Sequence, residues 1–456
     1  MVEMQLQENR TIRKRILSMI LPITFENILQ MTAGLVLMAM IGRIDAIAVG
    51  AIGIATVLYR ILWGIFKGIA TGTSVLVAQS YGANNFKKLK SVTEQAFIIS
   101  IIISIALQQV LFWLARPLLT IFNPSPDLLA NGSMYLKIIS FSMPFAAIIL
   151  LVAGVLQGMG NAKTPMFSIA ILNIINIVFG YIFIFLREMG LRGAGYAYNI
   201  AYISAALFGI NILFSNNGVI TNVGGRFEFK FNLKEALTIL ALGLPTSFET
   251  VFWQGASIFI TRAILTYGEI AYAAYQLGLQ AESISYMPAA GFGIAATTFI
   301  GQALGSRDNE TGKKYLRQLV KYTIILTIFA GGALTFFPRP IMSLLTKDQE
   351  VIRIGAMYLV VMGLTQLPQN ISGVLNGALR GAGYARVPMI NAGIGLWIIR
   401  VPFILIVAYV FKANILWIWI GIGIDMSFRL LFSYGYFKKK NIWEKEALVE
   451  DEPIKG

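Results

Sequence analysis

Apolar stretches of 20 or more residues recur from one end of this chain to the other, and they constrain its fold more than any single motif. Each is long enough to cross about 30 Å of hydrocarbon at 1.5 Å per residue. Helical spans are predicted near residues 15–41, 46–81, 91–114, 127–157, 165–186, 194–214, 236–266, 269–303, 319–338, 350–378, 388–411 and 414–437. Several exceed what a bilayer needs, so they tilt or protrude. Of the 456 residues 57% are hydrophobic and only 13% charged, too few charges to cover a soluble surface of this size. No polar segment is long enough for a soluble domain. The expected fold class is therefore all-α integral membrane, with 12 transmembrane helices.

The net charge of +15 raises the question of a nucleic-acid partner, but its distribution answers otherwise. Of 37 Lys and Arg, 22 fall in the N-terminal segment, the even-numbered loops and the C-terminal tail; 8 fall in the odd-numbered loops. The positive-inside rule then places both termini in the cytoplasm. No nucleic acid is expected; the lipid bilayer is the partner. Cysteine and histidine are absent, which removes disulfides, thiol nucleophiles and imidazole proton relays. The first apolar run, Ile16 to Ile41, is too long for a cleaved signal and lacks an A-x-A-like site.

The chain repeats itself at one offset of 223 residues. Pro22 and Glu26 match Pro245 and Glu249; Gln79 and Gly82 match Gln302 and Gly305; Arg116-Pro117 matches Arg339-Pro340. Gly132 and Tyr135 match Gly355 and Tyr358, and the run Gly154 to Gly160 with Pro165 matches Gly377 to Gly383 with Pro388. Chance matches in apolar sequence do not hold one register across Pro, Glu, Gln, Arg and Gly together. The expected plan is two pseudo-symmetric six-helix bundles: an N-lobe at 1–215, a cytoplasmic linker at 216–235 and a C-lobe at 236–456. Because each repeat has six spans, the lobes are expected to be related by an axis along the membrane normal, with a cleft between them that suits alternating access.

A carboxylate deep in the bilayer is a functional candidate by default. Glu26 lies about eleven residues into span 1, roughly 16 Å from its cytoplasmic end. Glu249 occupies the same place in span 7, and Glu282 is near mid-depth in span 8. Such groups could bind and release H⁺, hold Na⁺ or meet a cationic substrate, or only cement helix packing. Arg60, with Lys67 one face-repeat further along span 2, is a possible neutraliser of Glu26 or a contact for cargo. Asp425 and Arg429 at i,i+4 read as a local structural pair, and Arg400 before Pro402 reads as structural too. Pro22 and Pro245 each remove a backbone hydrogen bond and can kink their helices. Gln30, Tyr135, Asn173 and Asn176 in the first repeat, and Trp253, Tyr275, Gln276, Gln280 and Tyr286 in the second, could line a cavity, although helix-packing hydrogen bonds account for such residues equally well. The glycine runs at 154–160 and 377–383 lack the Gly-Lys-Ser/Thr of a phosphate loop, and close helix packing with a tight turn explains them.

Together, Pro22 with Glu26 to Gln30, Gly42-Arg43, Gln79 with Gly82, Gly154 to Gly160, Pro245 with Glu249, Glu282 with Gln302, Gly377 to Gly383 and Arg400 with Pro402 resemble the MATE (multidrug and toxic compound extrusion) family, over essentially the whole chain. The wider group includes lipid-linked oligosaccharide flippases. The resemblance implies export of drugs and other organic cations in exchange for H⁺ or Na⁺, with an N-lobe pocket similar to Pro22, Gln30, Tyr135 and Asn176 here. Where many members carry aspartates, this sequence has Leu37, Gly180 and Gln369. Coupling by carboxylate would then fall to Glu26, Glu249 and Glu282, with no other cofactor and no metal centre.

The expected protein is thus a secondary antiporter, not an enzyme, working as a monomer in the cell inner or plasma membrane on small organic, cationic substrates. The alternative is a flippase for a lipid-linked or amphipathic molecule, with Arg60 and Lys67 meeting an anionic head group.

Overall fold

A computed structural model describes residues 2–43, 46–215, 218–225, 228 and 230–449; Arg226 and Lys455, counted above among the cytoplasmic charges, lie outside them. The described residues are almost wholly helical. The first repeat supplies α1 (Val2–Ile41), α2 (Ala46–Gly82), α3 (Phe86–Thr120), α4 (Pro126–Ser140), α5 (Met143–Gly158), α6 (Lys163–Tyr181) and α7 (Gly190–Phe214). A short α8 (Val219–Gly224) follows. The second repeat supplies α9 (Leu233–Leu265), α10 (Glu269–Gly305), α11 (Asn309–Phe336), α12 (Pro338–Ser343), α13 (Gln349–Gly381), α14 (Arg386–Gly393), α15 (Val401–Leu405) and α16 (Leu416–Lys439). Among the described residues eleven helical segments are long and apolar enough to span, and the bent pair α4–α5, angled by 51°, is a twelfth when taken as one span. The fourth expected span is therefore broken, with Ser142 and Pro144 at the bend.

The repeat is visible in the backbone. Asn85 caps α3 by accepting from the Lys88 N–H, and Asp308, one repeat further, caps α11 by accepting from the Thr311 N–H. Ser125 and Asp348 cap α4 and α13 in the same way. Asn84 and Arg307 are both left-handed, at φ 53° and 56°, and so are Gly160 and Gly383, at 87° and 79°. The glycine runs serve close packing, as the sequence indicates. A side chain on Gly154 would meet the Ala70 carbonyl at 2.5 Å, and one on Gly377 would collide with the Gly293 carbonyl one repeat on. Gly158 against Ser74 and Gly381 against Thr297 repeat the arrangement one turn later. Small residues four apart let the two backbones touch.

The structure divides into two compact units. The N-unit is Pro22–Ser247, and the C-unit is Phe248–Leu448 together with α1 up to Leu21. These limits fall inside α1 and α9 rather than at the linker. In the N-unit, Gly68 and Gly72 of α2 press against Ile239 and Gly243, so the front of α9 packs with the first repeat. In the C-unit the Arg15 guanidinium donates to the Tyr315 hydroxyl at 3.2 Å, anchoring the front of α1 to the second repeat. Both exchanges end at or beside Pro22 and Pro245, the matched helix-interior prolines.

The linker is held to the N-unit by side chains at the start of α3. Glu94 Oε1 accepts the Glu228 N–H at 2.7 Å; Gln95 donates to the Lys230 carbonyl and accepts from the Asn232 N–H. Lys230 first, and Lys90 after it, hold the exposed Glu228 carboxyl below its ordinary range.

Candidate functional site

Glu282 sits in the middle of α10, only 4% exposed. Two side chains of α13, eight residues apart on one face, reach it: the Tyr358 hydroxyl donates to Oε2, and Gln366 Nε2 donates to Oε1 at 2.9 Å. Gln366 also donates to Gln369 Oε1 at 3.2 Å, and its own buried Oε1 has no donor. Glu282 makes no ion pair among the described residues. A carboxylate held only by neutral donors, beside an unsatisfied amide oxygen, can accept a proton or join a set of oxygens around a small hard cation. Neither Tyr358 nor Gln366 is among the candidate site residues read from the sequence. The signal for Tyr358 was its register with Tyr135; nothing in the sequence alone pointed to Gln366.

The other two candidate acids have different surroundings. Glu249 is paired, with Arg380 Nη2 at 2.6 Å from its Oε2. Glu26 is half-buried in the N-unit, and its buried Oε2 has no hydrogen-bond partner. Arg60 is exposed and forms no ion pair with Glu26 among the described residues. Pro22 is buried in α1, while Gln30 is exposed.

In the N-unit, Tyr135 is buried in the same apolar core as Tyr59, whose hydroxyl lies 2.9 Å from that of Ser142. Asn173 and Asn176 share one face of α6, and each carries a buried polar atom without a partner, Nδ2 and Oδ1 respectively. In the C-unit, Tyr275 stacks on the buried Trp419 with ring centres 5.6 Å apart, so it packs the core. Gln276 is exposed and donates to the Tyr272 hydroxyl, Gln280 is half-buried, and Tyr286 is 37% exposed.

Asp425 and Arg429 form the expected local pair, through Nε at 2.8 Å and Nη2 at 3.0 Å. Arg400 joins it, with Nε 2.7 Å from Asp425 Oδ2, a third member that the sequence spacing does not reveal. Both guanidinium groups lie over the Trp253 ring, at 4.9 Å and 5.3 Å. Trp253 is therefore placed with Arg400, Arg429 and Asp425 rather than with Glu282's partners.

Two structurally matched bundles of membrane-length helices, with carboxylates buried in them, define a polytopic membrane transporter. The family model MatE matches residues 22–182 and 245–406, one match to each repeat. A probable multidrug resistance protein NorM of Thermotoga maritima is 30% identical over 98% of this chain and 97% of its own length. The multidrug and toxin extrusion protein 1 of Danio rerio is 24% identical over 84% of this chain and 65% of its own. Among solved structures, MATE in complex with MaD3S superposes with a TM-score of 0.88 at 18% identity, covering 94% of this chain and 96% of that one. A MATE transporter of Vibrio cholerae gives 0.88 at 20%, covering 96% and 99%. The chain belongs to the MatE family, whose members are transporters and not enzymes.

Proposed function

We propose that this protein is a secondary multidrug efflux transporter that exports small organic compounds, cations among them, in exchange for H⁺ or Na⁺, with both termini in the cytoplasm. The observation that carries the reading is Glu282, buried with no ion pair among the described residues and held by Tyr358 and Gln366. Burial at membrane depth is costly for a charged carboxylate, so the site favours an occupant that neutralises it, a proton or a monovalent cation. An exchanger needs such a group to alternate between loaded and unloaded forms. Glu26 is the second candidate, because part of its carboxylate is buried and unsatisfied. Glu249 is the third, and Arg380 must release it before it can load. The names of the relatives, multidrug resistance and toxin extrusion proteins, support the cargo class.

The test is uptake of a fluorescent cation into vesicles, with H⁺ and Na⁺ gradients imposed separately. Glu282→Gln should uncouple transport from whichever gradient drives the parent protein. Full activity in all three variants Glu26→Gln, Glu249→Gln and Glu282→Gln would remove carboxylate coupling from the proposal.

A further inference from the structure

One face of α4 carries a cation on an otherwise apolar surface. Ala130, Lys137 and Phe141 are exposed along one stripe at helical spacing, with Met134 half-buried between them. Lys137 Nζ stands over the Phe112 ring of α3, 5.7 Å from its centre. From the α7 side Arg192 reaches the same stripe, its Nε 3.3 Å from Met134 Sδ. Arg116 is exposed on α3 one turn beyond Phe112. At this end of the N-unit the described acids are Asp127, ten residues before Lys137, and Glu188, four before Arg192. Neither forms an ion pair with Lys137, Arg192 or Arg116 among the described residues.

Depth follows from α3. Gln95 still binds the polar linker, so it lies at one membrane boundary. About 20 residues of helix further on the hydrocarbon ends, between Trp113 and Arg116. Lys137, beside Phe112, therefore sits just inside the opposite boundary, where its stem lies on apolar surface and its ammonium reaches head-group level. The wall there is aromatic. Phe112 meets Trp113 and Phe141 edge to face, with ring centres 5.4 and 5.5 Å apart. Trp113, 72% exposed, donates to Gln109 Oε1, and Gln109 donates to Gln108 Oε1, whose own Nε2 is buried without an acceptor. Phe141 lies at the 51° break between α4 and α5, one turn beyond Lys137. The second repeat keeps the exposed aromatic and the boundary arginine, as Phe336 and Arg339, but has Val360, Gly332 and Gly331 in place of Lys137, Gln109 and Gln108. A boundary aromatic belongs to any membrane scaffold; the cation beside an aromatic row belongs to the first repeat alone.

We infer that this face of the N-unit is a binding site for an anionic phospholipid, its phosphate on Lys137 and Arg192 and its acyl chains along Phe112, Trp113 and Phe141. Unpaired cations at head-group depth favour a head group with net negative charge, such as phosphatidylglycerol, over phosphatidylcholine, which brings its own cation. The site stands independently of which ion drives transport.

The experiment reads Trp113 in the purified full-length protein, as the difference in quenching by brominated lipid between the parent and Trp113→Phe in mixed micelles. The two probes are brominated phosphatidylglycerol and brominated phosphatidylcholine with identical chains, each titrated against unbrominated phosphatidylcholine. Quenching assigned to Trp113 should reach half its limit at about tenfold less phosphatidylglycerol than phosphatidylcholine. Lys137→Gln should remove most of that preference, and Lys137→Arg should keep it. Arg339→Gln, at the matched boundary of the second repeat, should leave it unchanged. Should Lys137→Gln not fold, Arg192→Gln alone must still lower the preference. Equal quenching by the two lipids in the parent, or a preference that survives Lys137→Gln combined with Arg192→Gln, overturns the site. So does an equal loss with Arg339→Gln, which would reduce the preference to the general charge of the surface.

Discussion

The two repeats share a scaffold but not an electrostatic plan. In the N-unit the position one repeat before Glu282 is Tyr59, a neutral side chain bonded to the Ser142 hydroxyl. The position one repeat before Arg380 is Gln157, so Glu26 has no arginine where Glu249 has one. The C-unit carries a paired Glu249, a neutral-donor cage around Glu282, and two arginines on Asp425. The backbones differ as well: α4 and α5 are bent apart where α13 runs unbroken, and the repeat offset changes once. Matching landmarks stand 223 residues apart up to Gly160 and Gly383, but the left-handed residues Glu188 and Lys412, which end the corresponding spans, stand 224 apart. Between those landmarks both repeats end in a π segment, Ile182–Leu186 and Ile406–Phe411, but the second carries another, Ile394–Arg400, where α6 is ordinary α-helix. A wider turn accommodates one more residue, and Arg400 closes that turn. Helix packing tolerated little change after duplication, while the ionisable groups diverged; coupling is therefore expected mainly in the C-unit.

The sharpest way to break that comparison is to treat the matched positions alike. Glu282→Gln should lower gradient-driven efflux by about 5- to 150-fold, the span of a coupling free energy of roughly 1–3 kcal/mol. Tyr59→Phe should leave it within about twofold, since one hydroxyl–hydroxyl hydrogen bond is worth on the order of 1 kcal/mol. A larger loss at Tyr59 than at Glu282, in vesicles under either gradient, would place the coupling in the wrong unit.

Stability separates the units next. Arg380→Gln strands Glu249 in a largely buried setting and should cost about 3 kcal/mol. Gln157→Ala at the matched position should cost under about 1 kcal/mol. Unfolding in detergent measures both, and the double variant Glu249→Gln with Arg380→Gln should recover most of the loss. The helix crossings make the opposite prediction, sameness. Gly154→Val and Gly377→Val should each destabilise by about 1–3 kcal/mol through overpacking, because both meet a backbone carbonyl that cannot rotate away.

Much of the scaffold was legible in the sequence, and the reason is physical. Hydrocarbon demands about 20 apolar residues per crossing, which composition records directly. A duplication keeps the residues that a helix crossing or a tight turn cannot replace, so Gly154, Gly160, Gly377 and Gly383 mark the register. The break between α4 and α5 was missed because the apolar run continues through Ser142 and Pro144. The exchange of half-helices at Pro22 and Pro245 was missed because packing partners leave no periodic trace. Among the candidate acids the sequence marked the carboxylates inside apolar spans but not their partners. Arg380 and Glu249 are separated by 131 residues, Gln366 and Glu282 by 84, and nothing in local spacing joins them. Arg400, which pairs with Asp425, ends a π segment, and the trace of that segment in the sequence is a repeat offset that grows by one residue.

The smallest expected difference is the most direct check that matched positions act alike until charge separates them. Asn85 and Asp308 cap equivalent helices, so Asn85→Ala and Asp308→Ala should each cost about 1 kcal/mol near neutral pH. Asp308 also titrates. The Thr311 hydroxyl first, and its backbone N–H after it, hold the Asp308 carboxyl below its ordinary range. A carboxyl whose folded value is depressed contributes its stability above the unfolded value and loses it as pH falls through the folded one. Acidification below the ordinary aspartate range should therefore weaken the start of α11, seen as faster amide exchange in its first turn, and affect the start of α3 less, where the cap Asn85 is neutral and the carboxylate contact is Glu235 with Lys88 and Ser91. Asp308→Asn should retain the cap and abolish the acid sensitivity. Equal acid loosening at both helix starts would mean that the response comes from elsewhere in the molecule, and that the charge at 308 is not what distinguishes the two repeats there.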